Sequence, residues 1–266
     1  MTGDDMTEGG GVTGGGGDSK QFELDVRPPF RLDLTAWVLR RRPDNHVDKW
    51  DGTTYQRVLR VDGTPIDVAV TQRGTDDRPR LAVTLTAAAA ASAASRARRE
   101  VTARLQRMLG LDLDTAAFIQ HVSSDPAIGP LARRFSGVKP PRFPTVFECL
   151  VNSIACQQLT LTFGIQLLDR LACAHGPRTP TGANGGGFGF PEPSDLAHVE
   201  PDAFRALGFS HAKARAIIEL AQRVTGGALD LDGFDRLDDA AAAAQLLGLR
   251  GIGRWSAEYA LLRGLG

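Results

Sequence analysis

From Phe22 the chain alternates between apolar and polar positions, with Phe22, Leu24 and Val26 on one side before Pro28-Pro29. A period of two predicts half-buried strands. The same reading covers 47–50, 55–61, 66–71 and 81–86, each bounded by Asp-Gly, Gly-Thr-Pro or Arg-Pro turn chemistry, with a short helix at 32–41. These segments form an antiparallel sheet, followed by a helix over about 90–109. Beyond residue 111 the period changes to that of helices: 114–122, an apolar run from Thr145 to Leu171, a helix stopped by Gly208, another over 211–224, then Ala240 to Leu247 and a last helix from about Arg254. The expected fold is therefore an α+β N-terminal domain (an antiparallel sheet with helices) followed by an all-α domain. The boundaries fall at a glycine-rich disordered tail over 1–19, the first domain over 20–111 and the second over 112–266.

Thr145-Val-Phe-Glu148 after Pro144 reads as a capping box, in which each side chain satisfies the other residue's unpaired N–H. The apolar pattern it opens is broken at Gln157-Gln158-Leu159-Thr160 and then resumes. Adjacent glutamines in a buried helical pattern are costly unless they surface or pair. They are either a solvent-facing corner or a wedge. Residues 112–142 hold a helix and a basic connector whose Arg133, Arg134, Lys139 and Arg142 could touch a DNA backbone. The segment is expected to expose an apolar face. The five arginines between Arg96 and Arg107 suit a solvated helix face, and His211 a surface position at a helix start. The Pro/Gly/Asn stretch 176–191 reads as a mobile insertion. Its Gly185-Gly-Gly-Phe-Gly lacks both a preceding strand and a following Lys-Ser/Thr, so it is not a phosphate loop. Residues 230–239 form an acidic linker.

Composition narrows the function. The chain has 266 residues, 42% of them hydrophobic, with a net charge of zero, so a nucleic-acid role must rest on local patches. Cys149, Cys156 and Cys173 lack metal-site spacing and read as small core residues in a reducing compartment. No apolar run spans a membrane and no signal start is present, so the expectation is a soluble, cytoplasmic protein (nucleoid-associated if bacterial).

The stretch that carries chemistry is Leu246 to Arg263. Gly251-Ile252-Gly253 makes a tight turn between two helices, and the N–H groups of the turn and of the following helix point outward at the positive end of a helix dipole. Such a turn is either an ordinary packed αα-hairpin or a phosphate-binding hairpin. Trp255 and Tyr259 lie four apart on one face of the second helix, where they are either core residues or a stacking platform.

Arg250-Gly-Ile-Gly-Arg-Trp-Ser-Ala-Glu-Tyr259 resembles the hairpin of the DNA-3-methyladenine glycosylase II family, the alkylpurine branch of the helix-hairpin-helix DNA glycosylases. Phe22-Glu-Leu, Pro28-Pro-Phe, Phe190-Pro-Glu-Pro-Ser-Asp-Leu, Phe204-Arg-Ala-Leu-Gly-Phe and His211-Ala-Lys-Ala-Arg-Ala-Ile-Ile are similar to it as well, so the resemblance runs from about residue 20 to 266. It implies a helix-hairpin-helix glycosylase domain that flips an alkylated purine out of double-stranded DNA and hydrolyses its N-glycosidic bond, acting as a monomer and requiring no cofactor. It assigns Trp255 and Tyr259 to the base pocket and Gln157, Gln158, Leu159, Gly251, Gly253, Arg254 and Ser256 to DNA contact. Gln158 is favoured as the residue that fills the gap. The backbone carbonyls of Leu247, Leu249 and Ile252 would hold a monovalent cation. Trp255 stands where strand-cutting relatives carry a nucleophilic lysine, which implies a monofunctional enzyme. The family's catalytic aspartate follows the hairpin's second helix and would lie beyond Gly266. The resemblance thus leaves the catalytic residue unassigned and implies a chain shortened at its C-terminus, with a non-catalytic DNA-binding module as the alternative.

Overall fold

The computed structural model describes residues 19–86, 94–179 and 187–266. The predicted tail lies outside them, except that Ser19 opens the first strand, and so does the middle of the 176–191 insertion. The first domain is a five-stranded antiparallel sheet in the order β1-β5-β4-β3-β2, built from β1 (Ser19–Asp25), β2 (Lys49–Trp50), β3 (Thr54–Val61), β4 (Thr64–Thr75) and β5 (Arg78–Thr86). The register pairs Leu24 with Leu81 and Val70 with Val83. This puts one apolar face against α1 (Leu32–Arg40) and α2 (Ala94–Leu109), whose Val101, Leu105 and Met108 are fully buried. β2 is shorter than the alternation predicts because the Asn45 side-chain oxygen takes the N–H groups of Val47 and Asp48, at 2.8 and 2.9 Å, and so removes them from the ladder.

The second core is helical. It gathers α5 (Val146–Cys156), α6 (Leu161–His175), the short α7 (Pro193–Leu196) and α8 (Pro201–Ala206), α9 (His211–Thr225), α10 (Asp239–Leu247) and α11 (Arg254–Ala260). The expected single helix before Gly208 is two short ones, because Pro193 and Pro201 each start a new first turn. The acidic linker contains a 3₁₀ turn, Asp232–Arg236. In the connector, α3 (Ala116–Val122) is followed by an unpredicted α4 (Ile128–Arg134), started by the Asp125 carboxylate on the N–H groups of Ala127 and Ile128. The Asp125-Pro126 pair was its signal. Phe118, Ile128, Leu131 and Phe135 stand exposed on this pair of helices. Among the described residues no helix is long and apolar enough to cross a membrane.

One feature of the capping box is corrected. The Thr145 hydroxyl accepts from the Glu148 N–H, but the Glu148 carboxylate turns away from the helix start to meet Arg57 of β3, at 2.6 Å. A buried guanidinium, also held by Asp48 at 2.7 Å, outbids a backbone N–H for the carboxylate. The sheet is thereby fixed to α5, whose far end carries the two glutamines. Arg41 to Asn152 (2.7 Å) and Arg42 to Thr162 (2.8 Å) cross the same interface. His211 opens α9 exposed, while Ser210 does the capping through Lys213 N–H.

Candidate nucleic-acid interface

The hairpin is built by burying its apolar residues. Leu246, Leu249 and Ile252 sink into the helical core, which forces the backbone between them to reverse at the surface. Gly251 has φ +78, and a Cβ there would come within 2.9 Å of the Ala216 methyl, so geometry and space both require glycine. Gly253 differs. Its φ is −98 in an extended N-cap conformation, and a Cβ would meet nothing within 4 Å. It therefore faces open space in front of the first N–H groups of α11. Arg254 is exposed beside it. Arg250, in the place of the family's proline, pairs with Glu219 of α9 at 2.6 Å.

Trp255 is 60% exposed and stacks on Tyr259, with ring centroids 5.2 Å apart and planes 13° apart. Tyr259 is half-buried and meets Phe143 edge to face at 6.2 Å. Burial holds the Tyr259 hydroxyl above its usual pKa, with Arg41 and Arg263 opposing. The pair is therefore neither core nor isolated surface: Trp255 is an outward platform backed by Tyr259.

The glutamines divide. The Gln157 side-chain amide donates to the Gly251 carbonyl at 2.7 Å and to the Ser256 hydroxyl at 2.9 Å. Ser256 is 2% exposed. These two side chains bond each other and brace the hairpin from within. Gln158 is exposed in the left-handed region at φ +54, and Leu159 is exposed next to it. A non-glycine residue at positive φ must be held there by its surroundings. The holder is Lys213, which the sequence reading missed. Its ammonium donates to the carbonyls of Ala155 (2.9 Å) and Gln157 (2.7 Å) at the C-terminal end of α5. Its position three residues into α9 carries no signal that α5 ends there.

Replacing Lys213 with methionine leaves both carbonyls without a donor. The expected result is a stability loss of about 1–3 kcal/mol, read by chemical denaturation. DNA affinity should weaken as the Gln158 turn loosens, and a variant that melts and binds as the parent does would remove Lys213 from this role.

Two family models match the chain, the AlkA N-terminal domain over residues 21–145 and the HhH-GPD superfamily base excision DNA repair protein over 151–258. The chain belongs to the HhH-GPD superfamily of base excision DNA repair proteins. Among its relatives in that superfamily is DNA-3-methyladenine glycosylase 2 of Escherichia coli, 28% identical over 243 residues, covering 91% of this chain and 80% of that protein. The DNA-3-methyladenine glycosylase of Bacillus subtilis is 28% identical over 167 residues, covering 62% of this chain. The chain spans 54% of the length of that relative. The HhH-GPD fold is shared with the 3-methyladenine DNA-glycosylase of Archaeoglobus fulgidus, at a TM-score of 0.75 and 20% identity over 92% of this chain and 80% of that one.

Proposed function

We propose that this chain recognises a damaged purine in duplex DNA, flips it out and, in base excision repair, removes it as a monofunctional N-glycosyl hydrolase of the 3-methyladenine type. The single observation that carries the reading is the exposed Trp255 platform, backed by Tyr259, in the first turn of the helix that follows a glycine hairpin with an open N-terminal face. In this reading the N–H groups after Gly253 bind a phosphate and Arg254 supplements them. Gln158, with Leu159 beside it, enters the stack in place of the flipped base, and Trp255 offers a π face to that base. Tryptophan cannot form a Schiff base, so water is the nucleophile. These residues bind and orient; the carboxylate that answers the cationic sugar is the part the resemblance places after the hairpin's second helix.

Relatives named as glycosylases favour excision over a module that only grips DNA. A neighbour solved in complex with double-stranded DNA, an 8-oxoguanine glycosylase/lyase from Clostridium acetobutylicum, shares the fold. The proposal takes the chain to act as a monomer. It includes a monovalent cation on the carbonyls of Leu247, Leu249 and Ile252. The Leu249 carbonyl already accepts the Ile252 N–H at 3.2 Å and keeps one lone pair for an ion.

The test compares a duplex holding an abasic-site analogue, the same duplex with a damaged purine, and an undamaged control. The chain should prefer the abasic analogue over the control at least about tenfold. Trp255→Ala should keep that preference while losing the added affinity for the damaged purine, by roughly 1–3 kcal/mol per stacked base. Equal affinity for all three duplexes overturns the reading. Release of 3-methyladenine from methylated duplex by the natural protein separates excision from binding alone.

A further inference from the structure

Between the sheet and the helical domain lies a cavity of about 380 Å³. The N-terminal end of α5 lines it, whereas the hairpin is braced at the other end of that helix through Gln157. Its apolar wall is made by Val58 of β3, Phe147 of α5, Phe190 and Leu231, all buried. Gly227 and Asp232 are exposed at its mouth. A volume of this size at a junction of domains is typical of sites that enclose small molecules.

The polar wall holds unused donors. Arg57 and Arg60 of β3 both line the cavity. Arg57 gives its terminal nitrogens to Asp48 and Glu148, at 2.7 and 2.6 Å. Arg60 gives one of its own to Glu192 and Asp195, at 3.3 and 3.0 Å. The Nε atom of each is buried, and among the described residues neither has an acceptor. The Arg57 side chain is 2% exposed, which keeps bulk water from serving it. A buried donor without an acceptor costs free energy. Two of them on one cavity point to an acceptor that arrives from outside the chain.

Charge narrows the class of that molecule. Arg57 and Arg60 are each matched by two carboxylates, so an anion would find donors with carboxylates directly behind them. A cation would meet the donors themselves, with Arg104 of α2 on the same wall. A neutral acceptor meets neither penalty, and the apolar wall takes the rest of the molecule.

We propose that this interdomain cavity is a binding site, separate from the DNA interface, for a neutral, mainly apolar small molecule whose carbonyl oxygen accepts from the buried Nε–H groups of Arg57 and Arg60.

The experiment uses Prodan, a neutral naphthalene dye whose emission shifts to the blue when its ring leaves water and whose propionyl carbonyl can accept hydrogen bonds. One equivalent should saturate the chain with a blue shift, and excess dye should raise the melting temperature. The same dye with its carbonyl reduced to a methylene should bind roughly 5- to 30-fold more weakly, because the donors are then left unpaired. The anionic dye 1-anilinonaphthalene-8-sulfonate should not displace Prodan. Val224, half-buried in the last turn of α9, lines the same cavity. Val224→Trp should fill the space and remove Prodan binding while binding to an abasic-site duplex persists; Leu229→Phe serves if that variant does not fold. Absence of Prodan binding, or binding unmoved by both filling variants, overturns the proposal. Displacement of the dye by the abasic duplex overturns it as well, since the dye would then sit on the Trp255 platform. Equal affinity for the carbonyl-free dye overturns the role given to the two arginines.

Discussion

Gly253→Asp is expected to weaken DNA binding by about two orders of magnitude while leaving the fold as stable as before or slightly more so. Gly253 is the N-cap of α11 in an extended conformation, with open space where a side chain would grow. Aspartate is among the best residues at such a position. It gains a few tenths of a kcal/mol over glycine from capping, and about 0.3–1 kcal/mol more from the helix dipole. The same carboxylate takes the N–H groups proposed to hold a phosphate and sets a negative charge beside it. Losing charge-assisted hydrogen bonds and gaining repulsion should together weaken binding by about 100-fold. Thermal unfolding and fluorescence anisotropy on one preparation check both halves. Unchanged affinity would remove the hairpin from the DNA interface. Gly251→Ala makes the contrast, because positive φ and the Ala216 methyl oppose any side chain there. It should lose stability and binding together.

The second large effect is expected at Arg57. Its side chain is 2% exposed and holds two carboxylates that are each 5% exposed. Burial alone would lower its pKa; Asp48 and Glu148 outweigh that and hold it well above the usual value, so it stays charged. Tyr55, also fully buried, donates to Asp48 at 2.6 Å. Arg57→Met leaves two carboxylates buried without their cation and should cost about 3–5 kcal/mol at neutral pH.

The loss should depend on pH. Burial already raises the Glu148 pKa above its ordinary value, and Arg57 pulls it back down. Without Arg57 it rises further. A carboxyl with a raised folded-state pKa binds a proton on folding. Its favourable contribution is present below the unfolded pKa and is lost as pH climbs through the folded one. The variant should therefore recover part of its stability near pH 4.5 relative to pH 7.5, whereas the parent should change less. Urea denaturation at the two pH values measures this. A variant destabilised equally at both would mean that Arg57 acts through packing alone. Adding Glu148→Gln and Asp48→Asn should restore part of the loss, because neutral amides cost less to bury than unpaired charges.

Much of the fold follows from local pattern. Period-two alternation marked all five strands to within a few residues, because one face of an antiparallel sheet is wet and the other dry. The helix ends followed from residues acting within their own turn. Thr145 and Asp238 cap through their own side chains, and Gly208 ends its helix at φ +101. The hairpin was legible for the same reason: Gly-Ile-Gly between two amphipathic helices is a complete local statement of a turn, and Trp255 and Tyr259 share a face by their spacing alone.

What sequence could not decide involved partners far apart along the chain. Glu148 looked like half of a capping box and became half of an ion pair, because Arg57 lies 91 residues away and only the packing of β3 on α5 brings them together. Gln157 and Gln158 are adjacent and chemically identical. Tertiary structure turns one inward to brace Gly251 and Ser256 and leaves the other outside at positive φ. Lys213 carries no local sign of its role until folding brings its ammonium to the carbonyls at the α5 terminus. Local periodicity and turn chemistry thus determined the elements, the hairpin and the platform. Which polar side chains are bonded inside and which are left at the surface was decided only by tertiary structure, because burial removes water as a competing partner and the nearest remaining partner comes from a distant part of the chain.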